Sequence, residues 1–195
     1  MIVILTALKG GVGKTTSAIH IAAYLQQKAP TLLIDADKNR SALVWSRDEK
    51  LPFRVISEAA APKFIQRYQH LVVDTKARPE REDLEDLVTG SDLLILPTTP
   101  NPLDIDATLK AVELLGELKA KFKILLTRVD SRTNSGREAR KSLTDLNLPL
   151  FKTDIPKLIA FERAPQRGVI VKDYPNPRAQ LAWDAYKAIG REILP

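Results

Sequence analysis

The chain has 195 residues, 44% of them hydrophobic and 28% charged, with a net charge of +6. It holds no cysteine, which excludes disulfides, thiolate metal sites, Cys-ligated iron–sulfur clusters and cysteine nucleophiles. The charge is uneven: residues 1–119 carry 15 Lys/Arg against 16 Asp/Glu, whereas residues 120–195 carry 15 against 8. All the excess positive charge is therefore C-terminal, an asymmetry that points to an anionic polymer or surface as partner.

The chain opens on a strand-like run, Ile2–Thr6, followed at once by Lys9-Gly10-Gly11-Val12-Gly13-Lys14-Thr15-Thr16 and a helix expected over 14–28. Further apolar runs read as strands at Thr31–Asp35, Leu71–Asp74, Leu93–Pro97 and Phe122–Thr127, with a shorter one near Leu148–Phe151. Helices are expected between them at 40–49, 59–69, 80–89, 103–120 and 134–146, and a last one at 177–194 after the loop Tyr174-Pro175-Asn176-Pro177. Strands that are apolar throughout, instead of alternating, indicate burial on both faces. Their alternation with helices predicts an α/β fold: an open, mostly parallel twisted sheet with helices on both faces. No linker or repeat divides it, so residues 1–195 are expected to form a single domain. The initial apolar run is too short for a signal peptide, and no stretch approaches a membrane span, so a cytoplasmic protein is expected.

The segment Lys9–Thr16 lies between a strand and a helix, where a glycine-rich turn can point successive N–H groups at phosphate oxygens. The helix behind it adds unpaired N–H groups and the positive end of its dipole. In this reading Gly10, Gly11, Val12, Gly13 and Thr16 cradle a nucleotide, Lys14 reaches the β- and γ-phosphates, and the Thr15 hydroxyl ligates Mg²⁺. The strict pattern G-x-x-x-x-G-K-[ST] fails, because its first position falls on Leu8. Lys9 stands in the loop instead.

Ligands of open parallel sheets bind at the C-terminal ends of the strands. Asp74 ends Leu71-Val72-Val73 in the form of a Walker B carboxylate, suited to hold Mg²⁺. Asp35 and Asp37 end Leu32-Leu33-Ile34, and alternate residues of an extended segment point the same way. One can order the Mg²⁺ shell and the other an attacking water; we assign Asp35 to the metal and Asp37 to the water. Lys14 already supplies the phosphate cation, so Lys9 is free to act across a dimer on the partner's nucleotide. Catalysis is thus expected from Lys9, Lys14 and Asp37, and Mg²⁺ binding from Thr15, Asp35 and Asp74. Trp45, Trp183, His20 and His70 read as core or surface residues.

These residues resemble the deviant Walker A ATPases of the ParA/MinD family, with Lys9 as the signature lysine. The resemblance runs along nearly the whole chain. Asp35-Ala36-Asp37 is similar to the family's D-x-D segment, with Lys38 where proline is usual, and Asp74-Thr75 to its Walker B, with Lys76-Ala77 in place of Pro-Pro. Pro97-Thr98-Thr99-Pro100-Asn101-Pro102-Leu103-Asp104 looks like the short plasmid-partition type. Thr127-Arg128, Ile155-Pro156 and Gly168-Val169-Ile170-Val171 resemble the part that surrounds adenine and closes the fold, which implies that Thr127, Arg128, Ile155 and Pro156 touch the base. Shortness points to ParF-type plasmid partition proteins or McdA-type carboxysome-distributing proteins.

The resemblance implies an ATP-dependent switch: a homodimer that sandwiches two ATP molecules, binds DNA without sequence preference, and is released when an adaptor protein stimulates weak hydrolysis. It would associate with the nucleoid and position a plasmid or a protein organelle. The basic C-terminal part fits phosphate neutralisation, with candidates Arg132, Arg137, Arg140, Lys141, Lys152, Lys157, Arg163, Arg167, Lys172 and Arg178. A MinD-like membrane switch would need a basic amphipathic tail, whereas this sequence ends at Ile193-Leu194-Pro195 in its last packing helix, so no membrane partner is expected. A P-loop ligase acting on a small molecule would leave Lys9 and the basic surface without a role.

Overall fold

The computed structural model describes residues 1–194. Its centre is a six-stranded, all-parallel sheet: β1 Ile2–Ala7, β2 Thr31–Ala36, β3 Arg54–Ser57, β4 His70–Ala77, β5 Leu93–Thr98 and β6 Phe122–Leu126. The spatial order is β3-β2-β4-β1-β5-β6. Seven α-helices accompany it: α1 Lys14–Gln26, α2 Ser41–Trp45, α3 Arg81–Thr89, α4 Pro102–Glu117, α5 Ser135–Asp145, α6 Ile159–Arg163 and α7 Ala179–Ile193.

The apolar strands are buried on both faces, and alternate residues feed different cores. Val3 and Leu5 of β1, Ile95 of β5 and Leu125 of β6 join Ile19, Ile21, Trp183 and Tyr186 in one cluster under α1 and α7. Ile4, Leu94, Leu96, Ile124 and Leu126 face the other way, against Leu84 of α3, Leu115 of α4 and Leu143 of α5. Gly190 sets the α1–α7 approach, since a Cβ there would lie 2.1 Å from the Tyr24 ring.

Three sequence expectations change. The helix expected over 59–69 is two 3-10 turns, Glu58–Lys63 and Ile65–Arg67, because Pro62 lies inside and cannot donate an α-helical hydrogen bond. The strand near Leu148–Phe151 is one bridge, Ile124 to Leu150, flanked by Pro149. The edge strand β3 was not anticipated; it is four residues long and begins on an exposed arginine.

Register places the site. Leu5, Asp74, Asp35 and Ser57 are paired in one row across β1, β4, β2 and β3. The phosphate loop leaves β1 just beyond that row, so residues far apart in sequence meet at one rim.

Candidate functional site

The loop 8–13 enters α1 through Gly13, with φ +92°, and Gly11, with φ +79°. Side chains with a Cβ rarely adopt that region, so these two glycines are required by the turn itself. Thr127, just past β6, donates its hydroxyl to the Val12 carbonyl at 2.7 Å and pins the loop from above. The Arg128 guanidinium donates to the Gly11 carbonyl at 3.1 Å.

Lys14 is buried, with its ammonium 3.6 Å from Asp37 Oδ2. Asp37 also accepts the Asn39 N–H at 2.9 Å. On this side of the loop a concavity of about 400 Å³ is lined by Lys14, Thr15, Thr16, Asp37 and Asn39. Thr15 donates its hydroxyl to Asp74 Oδ2 at 2.6 Å. The other oxygen, Oδ1, is buried with no partner among the described residues. Burial pushes the Asp74 carboxyl up to about 6, against the Thr15 hydroxyl and Lys14, with Asp35 and Asp37 adding to the rise. A carboxylate with one orphaned oxygen beside a threonine hydroxyl has the hard donor set that Mg²⁺ takes.

Asp35 is differently engaged. Its Oδ1 accepts the Asp37 N–H at 3.1 Å and its Oδ2 accepts the Leu43 N–H at 2.9 Å. Each oxygen thus accepts one backbone N–H, which ties the β2 end to α2, fixes where Asp37 stands and leaves one acceptor site on each oxygen for the Mg²⁺ shell expected of Asp35.

On the far side of the loop a cavity of about 190 Å³ is lined by Gly11, Gly13, Thr16, Thr127, Arg128, Ile155 and Pro156. Lys157, one of the cations expected at DNA, also lines it, and so do Leu158, Phe161, Glu162 and Tyr186, with no sequence signal that separates them from ordinary positions. Behind it lies His20, stacked on Tyr186 at 4.8 Å and edge-on to Phe161 and Trp45. Its Nε2 accepts the Val171 N–H at 2.9 Å, which leaves the proton on Nδ1 to be donated to the Thr16 carbonyl at 2.7 Å. Burial holds His20 down at about 4, so it is the neutral ring that braces the first turn of α1.

Lys9 does not meet these groups. Its ammonium pairs with Asp104, the third residue of α4, at 2.9 Å.

The C-terminal cations are in varied settings. Arg140 is half-buried and bonded to Asp154 and to the Phe151 carbonyl. Arg132 pairs with Asp130, Lys141 with Asp145 and Lys172 with Asp173, and Arg167 lies over the Tyr174 ring. Arg137, Lys152, Lys157, Arg163 and Arg178 are exposed and have no carboxylate partner among the described residues.

A parallel sheet with a glycine-rich loop, a buried lysine and a Thr–Asp pair at its rim has known counterparts. The family model described as the CobQ/CobB/MinD/ParA nucleotide binding domain matches residues 3–171. The chain belongs to this family. The ParA/MinD-family chain is therefore a nucleotide-binding ATPase. It is 33% identical over 195 residues to the maintenance of carboxysome distribution protein A of Gloeobacter kilaueensis, covering 95% of this chain and 90% of that one. A protein of the same name from Halothiobacillus neapolitanus is 26% identical over 96% of this chain and 94% of its own. Among solved structures, apo McdA of Cyanthece superposes with a TM-score of 0.79 at 15% identity, covering 96% of this chain and 98% of that one. That likeness carries the fold: a P-loop ATPase sheet with its helices.

Proposed function

We propose that this ATPase is a dimerising switch that binds non-specific DNA in its ATP state and positions a cargo through an adaptor protein. The observation that carries the reading is the division between its two loop lysines. Lys14 is buried beside Asp37 at the phosphate position, while Lys9 stands at the outer face of the loop with a third of its side chain exposed. A second cation there has no work left to do on its own nucleotide. Placed against the phosphates of a second copy, it would stabilise charge that develops during phosphoryl transfer.

The remaining roles follow from the same rim. Thr15 and Asp74 are the residues that would hold Mg²⁺, which supplies charge neutralisation at the phosphates. Asp37 orients the attacking water, and Asp35 holds Asp37 in place through backbone hydrogen bonds. Thr127, Arg128, Ile155 and Pro156 enclose the adenine end of ATP, with Phe161 and Tyr186 as apolar backing. Arg137, Lys152, Lys157, Arg163 and Arg178, exposed and without a carboxylate partner among the described residues, are the first candidates for DNA phosphates, and nucleoid association follows from such contacts. Relatives named for carboxysome distribution favour a protein organelle as cargo. No described helix is long and apolar enough to cross a membrane.

The test is DNA binding by the full chain with ATP and Mg²⁺, with ADP and without nucleotide, across a salt series. Binding is expected with ATP alone and should weaken steeply with salt; Lys14→Ala should remove it together with nucleotide affinity. Equal binding without nucleotide would refute the switch.

A further inference from the structure

Lys9 is held by its own chain. Its ammonium lies 2.9 Å from Asp104 Oδ1, and the Thr99 hydroxyl donates to Asp104 Oδ2 at 2.6 Å. Thr99 is oriented in turn by the Asn101 N–H, which donates to its hydroxyl at 3.2 Å. Asp104 keeps 16% of its side-chain surface in contact with solvent, against 35% for Lys9, so the pair is partly shielded. Burial pushes the Asp104 carboxyl up, yet the hydrogen bonds from Thr99 and Lys9 and the nearby charges of Lys9 and Arg128 outweigh it and hold the group below the usual carboxylate range. Asp104 is thus ionised and fully engaged at neutral pH.

We propose that Thr99 and Asp104 form a latch that holds Lys9 on its own subunit and must open before Lys9 serves a second copy. The inference rests on the reading that Lys9 acts across a dimer. The bond to Asp104 holds the ammonium against α4 of its own subunit, and although two N–H groups remain, the side chain must leave that carboxylate to extend to an anion elsewhere. The exchange is feasible because Lys9 trades a carboxylate for a phosphate, so no cation is stranded. Asp104 is not stranded either: it keeps Thr99 and the field of Arg128, whose guanidinium is bonded to Gly11 of the same loop. The latch therefore sets how much ATP is needed for pairing without touching the phosphate position, which belongs to Lys14 and Asp37. Asp104 acts through Lys9; it is a positioning residue.

A plain structural clamp has the same contacts and the opposite consequence. If the pair only stiffens the loop, loosening it should weaken nucleotide binding and pairing together. If it is a latch, loosening it should favour pairing and leave the single chain's affinity alone. A charge-assisted hydrogen bond of this kind is worth about tenfold in an equilibrium, about 1.4 kcal/mol.

The experiment uses the full-length chain and titrates ATP with Mg²⁺ while following dimer fraction by light scattering. Affinity of the single chain for a fluorescent ADP analogue is measured alongside. For Asp104→Asn the ATP concentration at half-maximal pairing should fall about tenfold, whereas Thr99→Val, which removes the donor that Asp104 keeps once Lys9 leaves, should raise it about threefold, with ADP-analogue affinity unchanged within about twofold in both. An unshifted or raised threshold in Asp104→Asn overturns the latch. Should Asp104→Asn fail to fold, Thr99→Val, which keeps the carboxylate, carries the test alone, and an unshifted or lowered threshold there overturns the latch. Lys9→Ala separates the two levels. If it pairs like the wild type, or if the wild type does not pair with ATP, the reading of Lys9 across the dimer fails. If pairing depends on Lys9 and the Asp104 threshold does not move, the latch alone fails.

Discussion

Replacing Asp74 by asparagine should make the nucleotide-free protein more stable at neutral pH. Burial raises the Asp74 carboxyl from the ordinary 3.8 to about 6, although Thr15 and Lys14 pull it down. That displacement corresponds to about 3 kcal/mol of penalty on the folded state once the group is ionised. Below about pH 4 the carboxyl is protonated in folded and unfolded chains alike and costs nothing; above about pH 6 both are ionised and the whole penalty is present. The asparagine amide keeps the acceptor for Thr15 but leaves an N–H pair where Oδ1 now lacks a partner, at a cost of about 1 kcal/mol. Asp74→Asn is therefore expected to gain about 2 kcal/mol above about pH 7 and to lose about 1 kcal/mol below about pH 4. His20 works in the opposite direction: burial lowers it from 6.5 to about 4, so the folded state loses about 3 kcal/mol as pH falls through that window. In the wild type the two slopes nearly cancel, and the variant exposes the His20 slope. The assay is urea unfolding in EDTA, followed by tryptophan fluorescence of the two buried indoles, Trp45 and Trp183, over a pH series. A difference between wild type and variant that does not change with pH would refute the argument, because it would mean that Asp74 is not displaced.

Asp37→Ala should leave ATP affinity within about tenfold and slow hydrolysis by about 10²-fold or more, the usual worth of a positioned water or base, with dimers accumulating in ATP; unchanged turnover in a phosphate-release assay would move that role elsewhere. Gly190→Ala places a methyl carbon 2.1 Å from the Tyr24 ring and should cost about 1–3 kcal/mol in urea unfolding, as overpacking does; a neutral effect would mean that the α1–α7 contact can slide. Arg140→Ala should lower stability by about 1–3 kcal/mol, because it strands Asp154 and the Phe151 carbonyl, and leave the salt slope of DNA binding in place. Arg163→Ala should instead spare stability and lower that slope by about one, read from binding isotherms at several salt concentrations.

The parts of this molecule that were legible in the sequence are those whose cause is local. Five strands announce themselves as continuous apolar runs because both of their faces are covered. Gly11 and Gly13 are legible because only glycine takes those φ values without strain. What was not legible is contact between distant segments. Asp35 and Asp37 have the spacing of side chains on one side of a strand, but spacing does not say that each Asp35 oxygen accepts a backbone N–H. Lys9 and Asp104 are 95 positions apart, and no periodicity links them. Phe161 and Tyr186 wall the cavity beside the loop, yet an aromatic in a helix looks the same whether it faces a ligand or a core. β3 is hidden by its length, and the 3-10 turns after it by a proline that breaks a helical pattern without removing it.

The charges around the loop explain why it should bind nucleotide and metal together. Four carboxylates, Asp35, Asp37, Asp74 and Asp104, stand at the rim with three cations, Lys9, Lys14 and Arg128. Each cation has a partner already: Lys14 on Asp37, Lys9 on Asp104, Arg128 on the Gly11 carbonyl. A triphosphate arriving alone meets loop N–H groups and a helix dipole, both favourable, but also an unneutralised Asp74 whose second oxygen has no donor. A divalent cation removes that cost and answers the phosphate charge at the same place. The register that sets Asp74 level with Asp35 and Leu5 thus places a buried carboxylate, one oxygen of which has no partner among the described residues, where a bound cation would neutralise it.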